Sequence, residues 1–66
     1  MKNIKERQFV KKVNENLKEE VNTSKIIILE TSKVDNQIDY VMYEDRFGRQ
    51  YQVYYRNGQY KKEEYK

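Results

Sequence analysis

Sixty-six residues with 14 basic and 11 acidic side chains, a net charge of +3 and 36% hydrophobic content make one small domain, whose core can supply only about 3–5 kcal/mol. With neither His nor Cys in the chain, the usual general base, the thiol nucleophile, disulfides and the best transition-metal ligands are all missing. A non-catalytic protein without cofactor or bound metal is expected, and the charge is too mild to imply nucleic acid by itself.

The stretch from Met1 to Lys5 is basic but has no apolar segment behind it, and the longest apolar run is Ile26 to Leu29. No signal peptide or membrane span is predicted, so a cytoplasmic location is expected. Residues 3–21 read as a helix. Asn3 can cap it with Glu6 three residues on, and Phe9, Val10, Val13, Leu17 and Val21 fall in one arc of roughly 120°, a core-facing stripe. Arg7, Lys11 and Lys18, with Asn14 between them, line one edge of that stripe, either as a solvated face or as a basic ridge for phosphate. Asn22 to Ser24 is expected to end the helix, because such side chains compete for backbone hydrogen bonds.

Four strands should follow, over residues 25–34, 37–46, 49–56 and 59–64. Asp35 and Asn36 close the first hairpin. Asn57 and Gly58 form the strongest turn signal, since a type I′ turn needs positive φ at both central residues. They set Tyr55 opposite Tyr60, Tyr54 opposite Lys61 and Val53 opposite Lys62. Between these, Phe47 and Gly48 read as a two-residue loop, which pairs Met42 with Val53, Val41 with Tyr54 and Tyr40 with Tyr55. The fold class expected is α+β, with an N-terminal helix on one face of a three- to four-stranded antiparallel meander.

Parity then sorts the side chains, since alternate residues of a strand share a face. Ile27, Leu29, Ile38, Tyr40, Met42, Tyr51, Val53, Tyr55 and Tyr60 fall on the face the helix should cover. The opposite, open face collects Ile26, Ile28, Val41, Tyr43 and Tyr54, with Glu30, Asp39, Gln52, Arg56 and Lys61 around them. The run Ile26 to Leu29 is apolar on both faces, so something should cover or use its outer side. The tail from Lys61 to Lys66 alternates poorly, and the last strand is expected to be short and frayed.

Function should therefore reside in the open face. Ile28, Val41, Tyr43 and Tyr54 are the expected anchors of a protein partner, with Arg56 and Lys61 as rim charges, because tyrosine patches rimmed by charge mark interaction surfaces. A second copy of the chain is a candidate for the same face. The alternative is a nucleic-acid-binding module in which Arg46, Arg49, Arg56 and Lys61 grip phosphates while Tyr54 stacks on a base. The chain is rich in Lys, Asn, Ile, Glu and Tyr, whose codons are rich in A and T, and lacks Ala and Pro. That bias suits a phage or mobile element, and an inhibitor of a host enzyme or defence complex.

Overall fold

The computed structural model describes residues 2–65, with side chains from residue 5 onward. Met1 and Lys66, and the side chains of Asn3 and Ile4, with them the expected Asn3 cap, lie outside the described residues. The elements are helix α1 (Lys2–Asn16), a 3-10 turn (Thr23–Lys25), and strands β1 (Ile27–Val34), β2 (Gln37–Glu44), β3 (Gln50–Arg56) and β4 (Gln59–Tyr65). The strands form one antiparallel sheet in the order β1-β2-β3-β4. No helix among the described residues is long and apolar enough to cross a membrane.

The helix stops before the expected Val21. Lys18 adopts φ 60, Glu19 N–H donates to the Asn14 carbonyl at 2.8 Å and Lys18 N–H to the Glu15 carbonyl at 3.1 Å. These are the paired bonds of a Schellman ending, which satisfies the last free carbonyls of a helix. The chain then reverses, and Asn22 caps the 3-10 turn by accepting from Ser24 N–H at 3.2 Å. Val21 still packs on the core, from the loop rather than from the helix. Arg7 fastens this loop to α1 by donating to the carbonyls of Thr23 at 2.6 Å and Ile26 at 3.1 Å. With its guanidinium spent on backbone, Arg7 does not form the basic ridge that its spacing allowed.

Both two-residue turns form as expected, with φ of 53 and 65 at Asp35 and Asn36, and 52 and 75 at Asn57 and Gly58. The middle turn differs. Gly48 N–H donates to the Asp45 carbonyl at 3.1 Å and Asp45 N–H to the Arg49 carbonyl at 2.8 Å, so Arg46, Phe47 and Gly48 make a three-residue loop with Gly48 at φ 83. A type I turn followed by a left-handed residue is the usual build of such loops. The Asp45 carboxylate locks it by accepting from Phe47 N–H and Arg49 N–H, both at 2.9 Å.

One extra loop residue shifts the β2–β3 register by one and exchanges the faces of β2 from Tyr40 to Glu44, while Ile38, beyond an irregularity at Asp39, keeps its expected place on the core. Met42 pairs with Gln52, Val41 with Val53 and Tyr40 with Tyr54, instead of Val53, Tyr54 and Tyr55. The β3–β4 pairs are as expected. In β1–β2, two irregularities, one at Leu29 and one at Asp39, set Glu30 and Ser32 opposite Met42 and Tyr40, where an unbroken ladder from the two-residue Asp35-Asn36 turn would set Leu29 and Thr31. Val41 and Tyr43, together with Ile26, are therefore buried under α1 with Val10, Val13 and Val53, and Ile28, Ile38, Tyr51 and Tyr60 pack around them. Ile27, Tyr40 and Met42, expected inside, belong to the other side of the sheet, and Leu29, also expected inside, is exposed at the irregularity.

Candidate functional site

The open face is built in cross-strand rows, each residue contributed by the alternation of its own strand. Ile27, Glu44, Gln50 and Tyr65 form the first row, Glu30, Met42, Gln52 and Glu63 the second, and Ser32, Tyr40, Tyr54 and Lys61 the third. Two tyrosines on the central strands thus stand side by side. Tyr40 donates its hydroxyl to Glu30 at 3.1 Å and Tyr54 donates to Glu63 at 2.7 Å, so each ring leans from a central strand toward a glutamate on the adjacent outer strand. These bonds favour the neutral phenol. Both tyrosines are raised above their ordinary 10.0, first by the hydrogen bond to glutamate, then by partial desolvation and the negative charge of that glutamate.

Apolar side chains are interspersed with the polar ones of this face. Ile27 is 58% exposed and Leu29 44%, and Met42 is half-buried between Glu30 and Gln52. The apolar run Ile26 to Leu29 therefore does present two side chains to solvent, but they are Ile27 and Leu29. Of the six residues expected to bind a partner, Tyr54, Arg56 and Lys61 lie on the open side. Ile28 is half-buried against the core, and Val41 and Tyr43 are 0% and 1% exposed. Those last two are structural residues and offer a partner nothing. Their places are taken by Tyr40 and Met42, displaced to this side by the same loop residue.

The residues proposed for nucleic acid do not converge. Arg46 lies in the β2–β3 turn and Arg49 follows it, whereas Arg56 and Lys61 flank the β3–β4 turn at the other end of β3, roughly 23 Å away at ordinary strand rise. Arg46 lies over the Phe47 ring at 5.0 Å, and Arg56 lies over Tyr54 at 4.8 Å. The Tyr54 ring face is thus already capped by a side chain of its own strand.

Sequence reasoning missed a polar cluster on the covered side. Asn14 is fully buried, donates to the Val10 carbonyl at 2.8 Å and to the Tyr43 hydroxyl at 3.4 Å, and accepts from Lys62 Nζ at 2.7 Å. Lys62 also pairs with Glu19 at 2.8 Å and lies 4.4 Å from the Tyr51 ring centroid. Burial acts to lower the Lys62 pKa, but the bond to Glu19 and the nearby Tyr43 oxygen outweigh it, and the net shift is upward from 10.5. A charge paired this thoroughly is a clamp between β4 and the end of α1. Beside it opens a cleft of about 720 Å³ between the loop after α1 and the β2–β3 turn, with Lys11, Lys25, Arg46 and Arg49 interspersed among Glu15, Glu20 and Asp45. Its charges alternate in sign and select no ligand class.

No protein-family model matches the chain, and no curated protein or solved structure resembles it at a significant level, so function is argued from geometry.

Proposed function

We propose that this protein is a non-catalytic protein-binding module acting through the open face of its sheet. The observation that carries this is that Ile27 and Leu29 stand exposed and apolar on β1 while Tyr40, Met42 and Tyr54 line the side of the sheet away from α1. Solvent-facing isoleucine and leucine on the same sheet as paired tyrosines give a partner apolar area and rigid amphipathic rings at small entropic cost. Arg56 and Lys61 border the patch and set orientation rather than affinity. A chain this small acts by occupying a surface of its target. With the A- and T-rich codon bias, the concrete form of the proposal is a phage or mobile-element inhibitor of a host enzyme or defence complex.

Capture from nuclease-treated lysate, run in parallel with wild type and with the Tyr40→Ala/Tyr54→Ala double variant, tests the proposal. One protein retained by wild type and released by the double variant is the expected outcome. Recovery of nucleic acid in the untreated lysate, with loss of all binding after nuclease, would replace it by the arginine-based alternative. In that case affinity should also fall steeply with salt through counterion release.

A further inference from the structure

The two halves of the open face carry the same motif with different charge. Tyr54 and Tyr40 are each bonded to a glutamate on the neighbouring outer strand. The Tyr54 half has its own cations. Arg56 covers the ring at 4.8 Å and pairs with Asp39 at 3.8 Å, and Lys61 stands opposite Tyr54 on β4. Among the described residues the Tyr40 half contributes none of its own, and the cation that reaches it is Arg56, at Asp39. Strand β2 contains no Lys or Arg, and the one cation of β1, Lys33, is in register with Ile38 on the helix side. Glu30 and Asp39 both act on Tyr40 with negative charge, whereas Arg56 partly offsets that charge at Tyr54.

A tyrosine ring beside a carboxylate is a favourable seat for a guanidinium or ammonium, which gains from the ring quadrupole and from the opposite charge together. The fold demonstrates the geometry once, with Arg56 on Tyr54. On the same two strands as Tyr40, Ile27, Leu29 and Met42 present apolar surface of the kind along which the methylene stem of a long cationic side chain packs. Resting on the protein-binding role, we propose that the β1–β2 half of the open face receives an Arg or Lys side chain from a basic segment of the partner protein, seated over Tyr40 and against Glu30. The same carboxylates repel phosphate, so this half of the sheet discriminates between a basic protein and a nucleic acid although the whole chain is cationic.

Selection of a random peptide library against the wild-type protein, with the binders then measured on Glu30→Gln, Tyr40→Phe, Tyr40→Leu and Tyr54→Ala, tests the inference. Binders should be enriched in Arg and Lys, weaken about tenfold on Glu30→Gln, which is the order expected when one charge contact is removed, survive Tyr40→Phe and be lost on Tyr40→Leu. All three positions are at least partly exposed, and coincident thermal unfolding with wild type verifies that each variant folds. Binders without basic enrichment that ignore Glu30→Gln but are lost on Tyr54→Ala would overturn the cation seat and leave the protein-binding face standing. Binders indifferent to every one of these variants, or an empty selection, would overturn both.

Discussion

Lys61 and Lys62 are consecutive residues of one strand with opposite fates, and the two faces of the sheet differ as these lysines do. Lys62 points under α1, where Asn14, Glu19 and the Tyr51 ring hold its ammonium. Lys61 points to solvent across from Tyr54. The tyrosines divide in the same way, with Tyr43 buried and bonded to Asn14 while Tyr40 on the same strand bonds to an outer glutamate. One face uses its polar groups to close a core too small to be closed by apolar contacts alone, and the other keeps them available. Residue type therefore says little about role here; the side of the sheet decides it.

The largest break in this contrast should come from Tyr43→Ala. Removing a fully buried ring costs about 3–5 kcal/mol, comparable to what so small a core supplies, so circular dichroism should show an unfolded chain at room temperature. Lys62→Ala should come next. It leaves the buried Asn14 oxygen without its donor, a loss of about 1–3 kcal/mol, whereas Lys61→Ala should stay within about 0.5 kcal/mol in the same urea titration. Equal effects at the two lysines would contradict the face assignment. Gly48→Ala falls between them at about 1–2 kcal/mol. No atom lies within 4 Å of the added methyl, so the cost is the positive φ alone.

Alkaline pH should sharpen the same contrast. Lys62, Tyr40 and Tyr54 all hold their protons more tightly in the folded chain than at their ordinary 10.5, 10.0 and 10.0. Above pH 10 the folded state therefore binds more protons than the unfolded state, and stability falls as pH rises through the shifted values. Below pH 10 these groups leave stability flat. In a spectrophotometric titration, Glu30→Gln should bring Tyr40 back toward 10.0 while leaving Tyr54 in place. Movement of both tyrosines would mean that the two pairs are not separate.

Much of this architecture was legible. The helix stripe, four strands and both two-residue turns follow from apolar spacing and from residues that tolerate positive φ, and the Asn57-Gly58 turn fixed the β3–β4 register. The exchange of Tyr40 and Met42 with Val41 and Tyr43 traces to a single residue, whereas the last strand, expected short and frayed, runs the full Gln59–Tyr65. Gly48 announces a left-handed position but not whether the loop holds two residues or three, and that count decides which face β1 and β2 present. A usable signal was there in Asp45, since Asp at the first and Gly at the fourth position is the preference of a type I turn. The irregularities at Leu29 and Asp39 have no comparable mark in the sequence. Asn14 was placed at the edge of the helix stripe although it lies four residues from Val10 and three from Leu17, so its burial was legible. Its partnership with Lys62, 48 positions away, was not, because only the tertiary fold brings them together.

The most direct test is tyrosine nitration mapped by mass spectrometry on the free protein and on its complex with a captured partner. Tyr40 and Tyr54 should react in the free protein and be protected in the complex, while Tyr43 stays unmodified in both. Nitration of Tyr43 in the folded free protein, or a complex in which Tyr40 and Tyr54 react as freely as before, would contradict the open face as the binding surface.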